Sequence, residues 1–269
     1  MNFTHAAAEL HISQPALHVK VRKLAEGIGT ALYVREGRTL ALTDTGRSVA
    51  GFARHIDAET AEFLNAVRGA PPPPLVLAAG EGAHLYVLAG AVRRLLGRGE
   101  RIRLVSSDHD HTIDAVRNRQ ANLGVTVISS APPGLEMVPI ASYPQVAVLP
   151  PTHPLASRRT LLLEDLSGAE LIVAAPRRPQ RQALEEALRR KHIPWSVAVE
   201  ADGWAQMLHF ASLEVGICVV NGCVTPGADL VGRPIEDLPP VSYAALHRPG
   251  DRRDPRLAAV LDAIKAGAP

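Results

Sequence analysis

Four consecutive prolines at residues 71–74 interrupt the chain and limit what it can fold into. Proline lacks the backbone N–H that helices and central strands use, and a run of prolines favours an extended segment, so no regular element is expected to continue through it. Before the run the sequence is typical of helices with one hairpin, whereas after it strands and helices alternate. This change of pattern predicts a domain boundary, with a hinge at residues 69–74.

The composition is that of an ordinary folded protein, with 46% hydrophobic and 21% charged residues in a chain of 269. No apolar run approaches the ~20 residues of a membrane-spanning helix, and the N-terminus lacks the pattern of a secretory signal. Two cysteines are too few for a disulfide framework, so we expect reduced thiols and a cytoplasmic protein with no membrane partner. A net charge of +2 confines any nucleic-acid binding to a local basic region.

Residues 1–43 predict a winged helix-turn-helix. Ser13 is expected to cap a helix that has Pro15 in its first turn. Two short strands, residues 31–34 and 39–42, should form a hairpin around residues 35–38. The helix should bury three residues that recur at helical spacing: Leu17, Val21 and Leu24.

Residues 44–68 predict one long helix with an apolar stripe. The stripe either packs on its own domain or pairs two chains in a coiled coil, and the proline run behind it favours pairing. Its members are Val49, Phe52, Ile56, Phe63 and Val67.

Residues 75–269 predict an α/β module with parallel sheets. Strands are expected at 75–79, 101–105, 123–128, 136–140, 145–149, 170–174, 196–200, 215–220 and 241–247, and helices at 112–120, 180–191, 203–212 and 255–265, with one more ending near Leu96. Nearly 200 residues of this kind suit two subdomains with a cleft, and such sheets bind ligands beyond the carboxyl ends of their strands.

The segment Phe3-Thr4-His5-Ala6-Ala7-Ala8-Glu9-Leu10-His11-Ile12-Ser13-Gln14-Pro15-Ala16-Leu17 closely resembles the helix-turn-helix of the LysR-type transcriptional regulators. The likeness continues through Val21-Arg22-Lys23-Leu24, Leu32-Tyr33-Val34-Arg35-Glu36-Gly37-Arg38, Leu42-Thr43-Asp44-Thr45-Gly46 and His153-Pro154-Leu155. It therefore covers essentially the whole chain, in the order winged helix-turn-helix, linker helix, hinge and effector module.

The resemblance implies a regulator whose operator binding or activation is controlled by a small-molecule effector. It further implies a double-stranded DNA operator, a homodimer or homotetramer, and RNA polymerase as a further partner. The effector module should be of the type II periplasmic-binding-protein kind, with subdomain one at 75–143 and 226–269 and subdomain two at 144–225. An alternative is a small-molecule-binding protein of the same fold that has lost DNA binding.

The recognition helix and the wing supply the candidate DNA contacts. Gln14 and His18 are assigned to base edges, and Pro15 and Ala16 to thymine methyl groups. Residues 1–54 hold seven cationic side chains against four carboxylates, which suits phosphate binding. The full candidate set is Ser13, Gln14, Pro15, Ala16, His18, Arg22, Lys23, Arg35 and Arg38.

Three features depart from the family pattern. The resemblance implies that the chain begins at the second helix of the winged domain, so we expect Leu17 and Val21 to be under-packed and the DNA-binding domain to be marginally stable. Val19 stands where the family often has a long polar residue, which predicts the loss of one DNA contact. Ala25 replaces a frequent acidic residue.

The effector cleft should be lined by loops that follow parallel strands. Glu81 opposes a simple carboxylate effector there, whereas Arg177 would attract one. Arg177 is equally consistent with a solvated loop cation, and Trp204 with a core residue at a helix start. The candidates are Gly80, Glu81, Gly82, Ala83, His84, Ser106, Ser107, Ser129, Pro176, Arg177, Asp202 and Trp204.

Other chemistry is disfavoured. Four adjacent ligand types at residues 108–111 rarely converge on one metal ion, and Asp110 fits an N-cap for a helix that begins at Thr112. Cys218 lies in an apolar strand, so a redox pair with Cys223 is the weaker alternative. No nucleophile and base pair, phosphate-binding loop or metalloprotease motif is present in the sequence, so we expect neither an enzyme nor a cofactor.

Overall fold

The computed structural model describes residues 3–37 and 39–267, and the main division between two compact units falls between Pro73 and Pro74. This division lies in the proline run. In the described ranges, no helix combines the length and the apolar character needed to cross a membrane.

The N-terminal unit is a short helical domain with a hairpin, followed by a long helix. Ser13 caps the second helix as predicted, because its Oγ accepts a hydrogen bond from the backbone N–H of Ala16 at 3.3 Å. The elements are α1 (Phe3–Glu9), α2 (Gln14–Ile28), β1 (Tyr33–Glu36), β2 (Thr39–Leu42) and α3 (Asp44–Val67).

The first strand of the hairpin is displaced by two residues from the prediction. The ladder runs from Tyr33 opposite Leu42 to Glu36 opposite Thr39. Gly37 has φ +60°, a left-handed conformation that allows a tight reversal, so Arg35 and Glu36 belong to a strand rather than to the turn.

The core of the N-terminal unit is small. One cluster has Phe3, Ala7 and Leu17 buried with Val21 packed half-buried against them, and Leu32 is buried outside this cluster. Leu24 is 49% exposed, so its predicted place in the core is wrong. Leu24 lies two turns beyond Leu17, about 10 Å along the helix axis, where this cluster has ended.

The C-terminal unit contains two sheets, each of five strands. The strands are β3 (Leu75–Ala79), β4 (Ile102–Ser106), β5 (Leu123–Val127), β6 (Glu136–Tyr143), β7 (Gln145–Leu149), β8 (Ala169–Val173), β9 (Trp195–Glu200), β10 (Ile217–Asn221), β11 (Val231–Pro234) and β12 (Val241–His247). Sheet I has the order β4-β3-β5-β12-β6, and sheet II has the order β11-β7-β10-β8-β9.

Helices cover both sheets and bury apolar side chains against them. Leu77 and Leu123 of sheet I belong to one core cluster with Leu88 and Val260 of the covering helices. A π-helical segment, Ala83–Leu88, leads into the first of these helices. The helices are α4 (Ala89–Leu96), α5 (His109–Arg117), α6 (Pro179–Arg190), α7 (Trp204–Ser212) and α8 (Pro255–Lys265), with short 3₁₀ turns at Pro154–Ser157, Leu163–Leu166 and Asp251–Arg253.

The sheets are mixed rather than parallel as predicted. β3 pairs in parallel with β4 and β5, and β8 with β9 and β10. In contrast, β12 is antiparallel to β5 and β6, and β7 is antiparallel to β10 and β11. The two strands that run against their neighbours, β7 and β12, are the first strands after the chain passes from one sheet to the other, as from Tyr143 of sheet I to Gln145 of sheet II.

The second crossing between the subdomains lies later than predicted. The sequence assigns residues 226–240 to subdomain one, but β11 pairs with β7 of sheet II. The segment behind it also stays with sheet II, because Leu163 N–H donates to Asp237 at 2.9 Å and Gln145 Nε2 donates to the Pro239 carbonyl at 3.0 Å. The chain therefore returns to sheet I near residue 240.

Candidate DNA-binding surface and ligand cleft

The exposed face of α2 is the candidate DNA-binding surface. Pro15, Val19, Arg22 and Lys23 are exposed, while Ala16 is half-exposed beside them. Arg22 forms an i,i+4 ion pair with Glu26 at 3.6 Å, with both side chains in solvent. The face therefore has an apolar centre with cationic side chains next to it, which suits base methyl groups and phosphates.

Val19 occupies the centre of this face. The predicted loss of a DNA contact concerns the long polar side chain that the family often has at this position, and the Val19 side chain itself is 41% exposed. Pro15 and Lys23 lie one turn before and after it, so the three form one ridge along the helix. Sequence patterning alone places Val19 on the outer side of α2 but favours His18 over Val19 as a residue that contacts bases.

His18 does not lie on the exposed face. Its half-buried ring stacks on Phe3 with centroids 4.0 Å apart, and the hydroxyl of Tyr33 is 3.4 Å from its Nδ1. These contacts engage His18 within the domain, so its assignment to a base edge is corrected to a packing role. The reason is that α1 and the wing converge on this side of α2.

The remaining DNA candidates lie at the ends of the surface. Gln14 is exposed, and its Oε1 accepts a hydrogen bond from the Thr4 hydroxyl at 3.2 Å. Ser13 acts as the N-cap of α2. In the wing, Arg35 is exposed and its Nε donates to the Gly37 carbonyl at 3.2 Å. Arg38 lies outside the described residues.

A cleft of about 480 Å³ lies in the C-terminal unit, bordered by residues of both sheets. Its apolar lining includes Val125, Val127, Ala174, Met207 and Val241, and its polar lining includes Thr126, Gln145, Gln180, Asn221 and Tyr243. Its charged members are Glu81, Asp108, Asp202 and Arg178, with His109 beside them. A pocket of this size, mostly apolar with a few placed polar groups, is typical of a site for a small organic molecule.

Several predicted residues line this cleft together. They come from the loop after β3, the loop after β4 and the start of α7, which confirms that the carboxyl ends of the parallel strands converge there. These residues are Gly80, Glu81, Gly82, Ala83, Ser107, Asp202 and Trp204.

Other predicted residues are absent from the lining. His84 is 8% exposed and its Nε2 is 3.1 Å from the Val105 carbonyl, so it packs beneath the cleft. Ser106 is the last residue of β4, where successive side chains point to opposite faces, and only Ser107 reaches the cleft. Ser129, Pro176 and Arg177 lie outside the cleft lining.

Arg178 replaces Arg177 as the cation of the cleft. It precedes α6 as the N-cap residue, and its Nε lies 3.5 Å from Oδ1 of Asp202 across the neighbouring loop. When two arginines are adjacent in a loop, the sequence does not show which one faces the cleft. The prediction of Arg177 was therefore wrong by one residue.

Trp204 is both a core residue and a cleft residue. Its partly buried indole packs against a core cluster that includes Val148 and Met207, and it also lines the cleft. Its Nε1 donates to Gln180 Oε1 at 3.3 Å. The ring lies against the backbone of Gly82, where an added Cβ would be 2.3 Å from Cε3 of the indole. Only glycine therefore permits this contact across the cleft.

A second close contact crosses the cleft beside the first. An added Cβ on Gly203 would lie 2.2 Å from Oε2 of Glu81, so the carboxylate rests against the backbone that precedes α7. Glu81 itself lies in the first helical turn after β3. The carboxylate is thus near two helix N-termini, both of which favour a negative charge.

Buried polar groups form the deeper wall. Asn221 is 3% exposed, and its Nδ2 donates to the Tyr243 hydroxyl at 2.8 Å. Burial raises the pKa of Tyr243, so the hydroxyl stays neutral. The Oδ1 atom of Asn221 has no hydrogen-bond partner among the described residues. Asn221 ends the apolar strand β10, and a polar residue at such a strand end is the signal by which the sequence could have identified it.

Asp108 caps α5 in place of Asp110. Its Oδ1 accepts the backbone N–H of His111 at 2.9 Å and lies 2.8 Å from His111 Nδ1, so α5 begins at His109. The hydrogen bonds from the backbone and then the ring of His111 hold the pKa of Asp108 below its ordinary value. Across residues 3–37 and 39–267, no three His, Cys, Asp or Glu side chains are grouped as metal ligands.

The two thiols are protonated at neutral pH. Burial raises the pKa of Cys218 to about 12 and that of Cys223 to about 11. Because the thiolate is the reactive form, neither cysteine has the character of a redox sensor.

Both parts of the chain match known families. Residues 1–47 match the family described as "Bacterial regulatory helix-turn-helix protein, lysR family", and residues 68–269 match the "LysR substrate binding domain". The chain is 30% identical over 193 residues to the RuBisCO operon transcriptional regulator of Allochromatium vinosum, covering 68% of this chain and 62% of that protein. It is 26% identical to the regulatory protein NocR of Agrobacterium tumefaciens, covering 98% of this chain and 92% of NocR.

Solved structures share the fold. A full-length OxyR variant from Pseudomonas aeruginosa superposes with a TM-score of 0.73 at 19% identity, covering 99% of this chain and 91% of that one. Full-length CbnR in complex with its target DNA superposes with a TM-score of 0.61 at 20% identity, covering 99% of this chain and 94% of that one.

Proposed function

We propose, from the premise that this chain belongs to the LysR family of transcriptional regulators, that α2 and the wing bind a DNA operator and that a small-molecule effector in the cleft controls this binding or the activation of transcription. The observation that carries the proposal is the exposed face of α2, which is capped by Ser13 and presents Val19 between Pro15 and Lys23. An α-helix with an apolar and cationic outer face fits the major groove.

The match of residues 1–47 to the helix-turn-helix family favours a DNA-binding regulator over a free ligand-binding protein of the same fold. We assign no catalytic role and no cofactor beyond the effector, and we place the protein in the cytoplasm, where its DNA is. RNA polymerase is the further partner that an activator of this family would contact.

Assembly is part of the proposal. Four side chains of α3, Phe52, Ile56, Phe63 and Val67, are each at least 50% exposed in the single chain. An apolar helical stripe of this kind is stable in water when it is buried against a second helix. We infer that α3 pairs two chains, which would present two recognition helices to successive major grooves, and that effector modules join dimers into a tetramer.

The test is selection of bound sequences from random double-stranded DNA, followed by mobility-shift titration of the selected site. We expect the selected site to bind at least about a thousandfold more tightly than random DNA. Lys23→Ala should weaken binding to both DNAs and reduce the slope of log affinity against log salt by about 1, whereas the exposed Lys265→Ala on α8 should change neither. Equal affinity for selected and random DNA would refute sequence-specific regulation.

A further inference from the structure

We propose that the effector is an organic cation: an ammonium or guanidinium group held by Glu81 at the cleft mouth, attached to a flat or branched apolar body that packs on Trp204. This rests on the proposed function, because it names the chemical class of the molecule that the cleft would bind.

The position of Glu81 is the first reason. A helix N-terminus that faces a cleft is the usual place for a ligand's negative charge. Here the Glu81 carboxylate already rests against Gly203, immediately before the nine-residue helix α7. A carboxylate-bearing ligand would meet this charge at the same place, whereas a cation would gain from it.

The charge balance of the lining is the second reason. The lining holds three carboxylates, Glu81, Asp108 and Asp202, against one guanidinium, that of Arg178. Arg178 faces Asp202 at 3.5 Å, so its charge is already balanced within the protein. Asp108 is hydrogen-bonded by His111, which does not line the cleft. Glu81 forms no ion pair among the described residues, and the helix N-termini beside it carry only partial charges, so it remains the carboxylate whose charge a ligand can neutralise.

Aromatic rings beside Glu81 supply the third reason. Trp204 lies against Gly82, the neighbour of Glu81, and the Tyr86 ring is 6.1 Å from the Trp204 ring. An indole face next to a carboxylate binds ammonium and guanidinium groups through both electrostatic attraction and cation–π contact. It also gives the ligand's carbon skeleton an apolar wall.

The deeper wall adds a requirement for a hydrogen-bond donor. Asn221 lines the cleft and is only 3% exposed, and its Oδ1 has no partner among the residues described. A buried acceptor without a donor is costly, and a ligand N–H or O–H would remove that cost. The cleft thus offers a ligand two hydrogen-bond acceptors, the Glu81 carboxylate at the cleft mouth and Asn221 Oδ1 in the deeper wall.

The experiment compares ligands that differ only in charge. The probes are phenethylamine against 3-phenylpropanoate, and tryptamine against indole-3-propanoate, titrated into the full chain by calorimetry up to about 10 mM, where a ligand with a Kd of ~1 mM is nearly saturated. We expect the amines to bind at least about tenfold more tightly than the matched carboxylates.

Glu81→Gln should reverse or abolish the preference for amines. The matched control is Glu170→Gln on β8, an exposed glutamate outside the cleft, which should leave the preference unchanged. Asp202→Asn removes the partner of Arg178 and should tighten binding of the carboxylates alone.

Tighter binding of the carboxylates, or no binding by either amine, overturns the cationic effector. If the carboxylates bind and Trp204→Ala removes their binding, the cleft still serves an effector and the proposed function stands. The proposed function would fail through a different result, namely the absence of sequence-specific DNA binding.

Discussion

The imidazole of His18 stacks on the phenyl ring of Phe3, with 4.0 Å between ring centroids and 12° between ring planes. Tyr33 of the wing meets Phe3 edge-on at 5.4 Å. Because the Tyr33 hydroxyl also lies 3.4 Å from His18 Nδ1, this one residue of α2 links α1 to the hairpin. The finding assigns His18 to the folding of the DNA-binding domain and leaves the reading of bases to the outer face of α2.

His18→Ala should destabilise the N-terminal unit by about 1–2 kcal/mol, because it removes a stacked aromatic pair from a small core. The measurement is urea unfolding followed by circular dichroism. His5→Ala on α1 is the control, since His5 is 73% exposed, and it should change stability by less than about 0.5 kcal/mol. An altered base preference in the folded His18→Ala protein, with unchanged stability, would restore the base-reading role.

Val19 should read a thymine methyl group. Replacing each thymine of the selected operator by deoxyuridine removes only that methyl, and one such replacement should weaken binding by about 1 kcal/mol. The Val19→Ala protein should bind the thymine operator more weakly, and its affinity should no longer change when that thymine is replaced by deoxyuridine. The Ala25→Gly protein, changed on the half-buried side of α2, should still lose affinity on that replacement. If Val19→Ala keeps the full deoxyuridine effect, another residue makes the contact.

Local signals in the sequence predicted most elements of the fold. Ser13 before Gln14-Pro15 identified the start of α2, because a serine N-cap followed by an early proline has few alternatives. β12 and α8 match their predicted bounds, since each is an apolar run closed by turn residues. What could not be predicted was pairing: the order and direction of strands depend on contacts between distant residues, as between Gly232 of β11 and Val148 of β7.

The sequence predicted only those residues of the cleft lining that directly follow parallel strands. Glu81 and Trp204 were found because each follows such a strand and opens a helix. Gln145 was missed because it opens β7, whose antiparallel pairing with β10 is absent from the local pattern, whereas Asn221 was missed although its polar side chain ends the apolar strand β10. Arg178, which faces the cleft, pairs with Asp202 on a separate loop of the chain, a contact that the local sequence around Arg178 does not contain.

Phe52→Asp combined with Ile56→Asp should separate the α3 pair. Each substitution places an unpaired charge in the proposed helix interface, which costs a few kcal/mol and should raise the dimer dissociation constant by at least about a hundredfold. Light scattering at micromolar concentration measures the change. Arg54→Ala and Asp57→Ala, exposed on the same helix outside the stripe, should leave the assembly intact. A monomeric wild-type chain would contradict pairing through α3.

Asp237→Asn should lower stability at neutral pH and remove part of its acid dependence. Burial by itself would raise the pKa of Asp237, but hydrogen bonds from Lys191 and from the Leu163 N–H outweigh it and hold the pKa below its ordinary 3.8. A lowered pKa means that the carboxylate stabilises the fold above about pH 4, and that this contribution disappears as the pH falls through the lowered value.

The loss at pH 7 should be about 1 kcal/mol, as expected for a hydrogen bond to a partly exposed carboxylate. Urea unfolding from pH 7 to pH 3 should show the wild-type and Asp237→Asn curves converging at the acid end. A constant difference over that range would exclude titration of Asp237 as the cause.

Gly82→Ala should disturb the cleft without unfolding the protein. The backbone of Gly82 is right-handed helical, with φ −61° and ψ −35°, so alanine is compatible with it and any loss arises from the side chain. The added methyl would lie 2.3 Å from the Trp204 ring, which must therefore move away.

The measurement uses a Trp195→Phe background, which leaves Trp204 as the sole tryptophan. In this background Gly82→Ala should shift the fluorescence emission of Trp204, and phenethylamine should bind about tenfold more weakly. Gly90→Ala on α4 is the matched control, because its added Cβ meets nothing closer than 3.5 Å and it should change neither reading. Unchanged Trp204 emission in the Gly82→Ala protein would show that the indole does not rest on residue 82 in solution.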